Sequence, residues 1–281
     1  MKTFNLILVI IFLLFSCLSI TVLVHLINRY QFFYPSEGSW KLVWNDEFDS
    51  PELEQSRWTP VYRSVGFCSY QNNIQPIFSN NVTVKDGCLV LSNKEMSWKE
   101  ERDKTEDSYE RFNYTTYYNT GQVTTKGIWT YGRFEIRAKL PAGQGLLTYA
   151  SLYPADEEIF QEIFILRNYG HDPSRVSMGN FLETNQPRRN LEKATSGRGY
   201  GPDYSADFHT FAVEWEPGNI RWFIDDIKVY QVKGNVPEKI PLSLSLGISV
   251  GGVSGDDPYI GKGVPLLQHL DVDWVRVYQR R

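Results

Sequence analysis

The chain has 281 residues, a net charge of −4 and 22% charged residues, so it offers no electrostatic case for nucleic acid or anionic lipid. A hydrophobic content of 42% can bury a sizeable core, in one large all-β domain or two small ones. Aromatic residues make up 15% of the chain, which suits β-sheet and sugar-stacking surfaces equally.

Residues 1–5 form a short N-terminal tail. From Leu6 to Ile27 the chain reads LILVIIFLLFSCLSITVLVHLI, and His25 is its only ionisable side chain. Roughly 20 such residues cross a bilayer as a helix. The run is longer than a cleavable signal requires, and no clean A-x-A site follows it. It is expected to be one N-terminal transmembrane helix, a signal anchor, with a cleaved signal peptide as the alternative. LFSC, ending at Cys17, is a poor lipoprotein site because the apolar run continues past the cysteine. Residues 28–38 read as a stem. The domain that follows, 39–281, is expected outside the cytosol: extracellular, lumenal or periplasmic on a membrane anchor, or secreted.

From Ser39 onward, strand-sized runs alternate with turn residues. VTVKDGCLVLS places two runs around Asp86-Gly87, a hairpin dipeptide. Lys94 to Arg111 is dense in both signs of charge and reads as an exposed loop. Tyr114, Tyr117 and Tyr118 are either strand residues packed on a sheet or an exposed aromatic patch. GRFEIRAK alternates Phe134, Ile136 and Ala138 against Glu135, Arg137 and Lys139, the period of a half-buried strand. HTFAVEWEPGNIRWFIDDIKVYQV predicts further strands around Pro217-Gly218 and Asp225-Asp226, and LDVDWVRVYQ predicts a last one. Many short strands without an amphipathic helix point to a β-sandwich or barrel.

Cys68 and Cys88 are either a disulfide or two buried thiols. Asn81-Val-Thr83 and Asn113-Tyr-Thr115 are glycosylation acceptors in a host that glycosylates. His25, His171, His209 and His269 show no metal-ligand spacing, and there is no G-x-S-x-G and no phosphate loop.

Five stretches in order carry a family likeness: WKLVWNDEF, TTKGIWTYGRFEIRAKLPAGQG, GHDPSRV, DFHTFAVEWEPGNIRWFID and VDWVRVYQ. Together they resemble glycoside hydrolase family 16, the laminarinase and lichenase group, from about Trp40 to Gln279. The resemblance implies a two-sheet jelly-roll β-sandwich with a concave cleft for β-glucans or galactans. It implies retaining chemistry from two acids and an intervening aspartate on one strand, in a pattern like E-x-D-x-x-E. Retention needs two carboxyl groups about 5–5.5 Å apart. One bulged residue brings position i+5 to the face that i and i+2 share. No cofactor is required. Glu47 and Asp273 match positions that often help bind a structural calcium, which takes hard oxygen ligands.

The site motifs depart from that pattern. Counting back from GHDPSRV sets Glu162 at the nucleophile position, Phe164 in place of the assisting aspartate and Arg167 in place of the acid/base. A guanidinium stays protonated at any working pH and cannot cycle a proton. Leu147 and Ser151 stand where tryptophans are frequent, Ser254 replaces another, and Ile74 follows Asn72-Asn73 where glutamate is usual. Phe181 falls at a position often held by histidine. Asn72, Asn73, Ser151 and Ser254 are the substrate-binding candidates. The expected molecule is a monomeric, catalytically impaired relative that binds a β-glucan-like polysaccharide or another glycan, with Arg167 paired to Glu162. The alternative is an active retaining endo-β-glycosidase or transglycosylase with a rearranged acid pair, Glu158 and Glu162. A third reading is a membrane-tethered adhesion domain.

Overall fold

The structure is a computed structural model and describes residues 39–61, 79–96, 117–154, 161–182, 195–250 and 267–281. Lys41–Gln279 form one compact unit. The anchor segment, the stem, Cys68 and Tyr114 lie outside the described residues. No helix among the described residues is long and apolar enough to cross a membrane.

The described strands in chain order are β1 (Trp40–Asp46), β2 (Trp58–Pro60), β3 (Val82–Lys85), β4 (Cys88–Met96), β5 (Tyr117–Thr120), β6 (Gln122–Thr125), β7 (Gly132–Lys139) and β8 (Leu146–Pro154). Then come β9 (Gln161–Tyr169), β10 (Arg175–Leu182), β11 (Thr195–Tyr200), β12 (His209–Glu216), β13 (Asn219–Ile224), β14 (Ile227–Lys233), β15 (Leu242–Val250) and β16 (His269–Arg280). They form two antiparallel sheets. One has nine strands, in the order β14-β13-β12-β7-β16-β4-β3, with β1 on β16 and β5 on β4. The other has seven, in the order β11-β10-β9-β8-β15-β6-β2.

The period-two pattern sets which face meets the core. On β7, Phe134, Ile136 and Ala138 are buried while Arg133, Glu135 and Arg137 face outward. On β15, LSLSLGISV sends Leu242, Leu244, Leu246, Ile248 and Val250 into the core and its serines and glycine to the opposite face. Trp58, Trp215 and Trp222 are the largest fully buried side chains. The hairpin dipeptides fold as expected. Asp86 and Gly87 have φ of 52° and 75°, and Asp225 and Asp226 have 48° and 62°, the two left-handed residues of a type I′ turn. Cys88 is a half-buried free thiol. Tyr117 and Tyr118 lie on β5, paired to Met96 and Glu95.

The outer face of the nine-stranded sheet is laced by ion pairs. Arg133 bonds Glu135, Glu214 and Asp226, and Arg221 bonds Glu214 and Glu216. Glu47 accepts from Arg276 at 2.9 and 2.8 Å, and Asp273 is engaged by Arg137. Each of the two calcium candidates thus already has a guanidinium partner. No group of three or more His, Cys, Asp or Glu among the described residues is arranged to hold a metal.

The two sheets are tied at β9. Its register skips one residue against both neighbours: Ser151 faces Phe164 and Ala150 faces Leu166 on one side, Gly179 faces Phe164 and Ser177 faces Arg167 on the other. Ile165 is the extra residue, a β-bulge. At the bulge, the Phe164 carbonyl accepts a 3.0 Å bond from the buried indole N–H of Trp222 on β13. Replacing Trp222 with Phe keeps an aromatic ring but removes the donor. Trp222→Phe is expected to lower unfolding free energy by about 2–3 kcal/mol, from the unpaired carbonyl together with the smaller ring. Urea denaturation measures it, and a variant as stable as the parent would show that this tie contributes nothing.

Candidate functional site

The bulge decides what the outer face of the seven-stranded sheet presents. Without it, Glu162 and Arg167 would point to opposite faces, because side chains alternate. With it, Ile165 and Leu166 both pack into the core, and Glu162, Phe164 and Arg167 share the outer face. Glu162 is the lone carboxylate on the described strands of this sheet.

Glu162 is 3% exposed and fully engaged. Its Oε1 accepts from Ser151 Oγ at 2.6 Å, Arg167 Nη2 at 2.7 Å and Tyr153 Oη at 3.0 Å. Its Oε2 accepts from the same Arg167 Nη2 at 2.6 Å. One guanidinium nitrogen therefore bridges both carboxylate oxygens. The Arg167 guanidinium carbon stands 4.5 Å from the Phe164 ring centroid and 5.5 Å from that of Phe181. The two rings lie 5.5 Å apart. Phe164 and Phe181 thus wall the cation in cation–π geometry.

The electrostatics favour a fixed pair over a proton relay. Burial opposes the charge on Arg167, but the Glu162 carboxylate outweighs it and holds the guanidinium pKa above its ordinary value. Tyr153 is the other protic group on Glu162. Burial first, and the Glu162 charge second, raise its pKa well above the usual phenol value. It keeps its proton near neutrality and stands as a hydrogen-bond donor to Glu162.

The expected ion pair of Glu162 and Arg167 is present, and Phe181 joins it. Ser151 is 0% exposed with its hydroxyl turned to Glu162, so it reaches no ligand in this arrangement. Leu147 is half-buried on the outer face of β8. Glu158, Asn72, Asn73 and Ser254 lie outside the described residues. Sequence reasoning missed Tyr153. Its position two residues past Ser151, on the same face of one strand, was the available signal. It also missed the ring of Tyr149, which lies over Gly247: a Cβ there would sit 2.3 Å from the phenol.

A family model described as glycosyl hydrolases family 16 matches residues 80–276. A beta-glucanase from Rhodothermus marinus is 31% identical over 268 residues, 85% of each chain. A glucan endo-1,3-beta-glucosidase from Cryptopygus antarcticus is 28% identical over 207 residues, 70% of this chain and 71% of the relative. Among solved structures, the laminarinase from Rhodothermus marinus matches with a TM-score of 0.68 at 28% identity, over 88% of this chain and 100% of that one.

Removing one member of a buried ion pair is strongly destabilising, at about 3–5 kcal/mol. Arg167 keeps 29% of its side chain exposed, which sets the expectation at the lower end. Arg167→Met is expected to lose about 3 kcal/mol in thermal or urea unfolding. Most of that loss should return in the Glu162→Gln/Arg167→Met double variant, which no longer buries an unpaired charge. Equal stability of the single variant and the parent would refute a structural role for the pair.

Proposed function

The chain belongs to glycosyl hydrolases family 16, and we propose that it binds a β-glucan-like polysaccharide without cleaving it. One observation carries the reading: the guanidinium of Arg167 bridges both oxygens of Glu162. Retaining hydrolysis asks two things of such a strand. A carboxylate must attack the anomeric carbon, and a second carboxyl group must hand its proton to the leaving oxygen. Here Glu162, the one carboxylate on the described strands of this sheet, is engaged on both oxygens by a cation. The group at the second position cannot release a proton. Phe164 supplies neither charge nor hydrogen bond to replace the aspartate. The names of the relatives, beta-glucanase and glucan endo-1,3-beta-glucosidase, support a β-glucan as ligand class.

The same names favour a second reading, an active retaining endo-β-glycosidase or transglycosylase that draws its other acid from Glu158. Purified full-length protein incubated with laminarin and lichenan separates the two. No reducing ends above the blank are expected, while laminarin is retained in affinity electrophoresis. Release of reducing ends that disappears in Glu162→Gln would sink the non-catalytic reading.

We also propose that Leu6–Ile27 anchors the chain in a membrane with the sandwich on the non-cytosolic side. Its length and lack of charge support this. The protein is expected to stay in the membrane pellet after an alkaline carbonate wash. Recovery in the supernatant, shortened at the N-terminus, would show a cleaved signal instead.

A further inference from the structure

The outer face of β9, β10 and β11 has a second feature beside the pair. Arg167 spends one nitrogen, Nη2, on Glu162. Its Nε and Nη1 make no bond among the described residues, and 29% of the side chain is exposed. Two single donors are therefore left over, on a guanidinium already held by a carboxylate and flanked by two phenyl rings.

The register carries this donor edge across the sheet. Arg167 faces Ser177 on β10, and Ser177 faces Arg198 on β11. Two strand spacings separate the two arginine backbones, about 10 Å. A Cβ at Gly197 would strike the Tyr230 ring at 2.5 Å, and one at Gly199 would strike Ile224 at 2.8 Å. Those two positions therefore face the core, and Arg198 between them faces outward with Tyr200. Arg198 is exposed and has no ion-pair partner among the described residues. Tyr200, 68% exposed, stands in the next row opposite Arg175. Arg175 is paired with Asp172 at 3.2 Å. Counting Arg167, Arg175 and Arg198 against Glu162 and Asp172 leaves one net positive charge on this stretch.

We infer that this face binds a glycan carrying acid groups, a sulfate ester or a uronate carboxylate, in preference to a neutral one. The inference rests on the non-catalytic glycan-binding reading above. Open guanidinium donors match the two oxygens of a carboxylate or sulfate edge. Arg198, across Ser177, offers a whole fork, and Arg167 adds single Nε and Nη1 donors from a guanidinium already held in place. The Tyr200 ring gives a sugar a flat apolar face to stack on, beside the charges. The serine-faced strand β15 carries no acid that would repel such a ligand.

A matched set of ligands tests this: laminarin, laminarin bearing sulfate esters, and laminarin oxidised at C6 to carboxylates. Binding of the full-length protein is measured by calorimetry at physiological salt. At least one acidic derivative is expected to bind about tenfold more tightly than the neutral polymer. Which of the two does so tells a sulfate site from a uronate site. Arg198→Gln should remove most of that gain, while Lys228→Gln, an exposed cation on the other sheet, should leave it. Equal affinity for all three polymers overturns the charge preference alone and leaves glycan binding standing. An equal loss in both variants also overturns it, by showing attraction to net charge only. Failure to bind any of the three overturns both readings. Reducing-end release would count against the non-catalytic reading, with the charge preference still read from the same titrations.

Discussion

One residue out of register on β9 governs the site. In a regular strand, residues five apart point to opposite faces. Ile165 is the extra residue that brings Arg167 around to the face of Glu162. The core holds this arrangement in place. Ile165 and Leu166 are 2% and 1% exposed, so a slip that restored regular pairing would expose a buried leucine and drive a guanidinium into the sandwich. The Trp222 indole, from the facing sheet, secures the same point through the Phe164 carbonyl. Site geometry and core packing are thus one constraint seen from two sides.

The electrostatics of the site follow from the residue placed at the end of that bulge. A second carboxylate there would put like charges side by side, which raises one pKa and stores repulsion. Catalytic sites retain such repulsion because the raised pKa makes a general acid. Arginine reverses the sign. Repulsion becomes attraction, and the buried carboxylate gains a counter-ion. Phe164 and Phe181 complete the change by walling the guanidinium with rings instead of a second acid. The arrangement favours permanence over proton exchange.

The parts of this that the sequence made legible are the periodic and the local ones. Phe134, Ile136 and Ala138 announce their face by alternation, and Asp86-Gly87 and Asp225-Asp226 announce their turns by backbone preference. The bulge was legible only through family spacing, because the run FILR carries no turn residue or glycine to mark it. Contacts between residues far apart in the chain were not legible at all. Glu47 and Asp273 look like free hard ligands in sequence. Arg276 lies 229 residues from Glu47 and Arg137 lies 136 from Asp273, so no local pattern could show that each carboxylate is already engaged. Tyr153 escaped notice for a related reason, since it meets Glu162 only after β8 and β9 pair.

The two outer faces of the sandwich differ in how their charges are used. On the nine-stranded sheet Arg133 and Arg221 share Glu214, and the chain closes on Glu135, Glu216 and Asp226. Such a lattice engages most of its own donors, the buried Arg221 Nε excepted. On the seven-stranded sheet Arg167 is held by one nitrogen, and Arg198, two strands away, has no ion-pair partner among the described residues. A fixed cation with open donors loses little side-chain entropy when a ligand arrives, which is the condition for preorganised recognition. The guanidinium that pairs with Glu162 therefore also presents fixed donors to a ligand. The proposed absence of cleavage and the proposed preference for acidic sugars would then share one cause, the guanidinium at position 167.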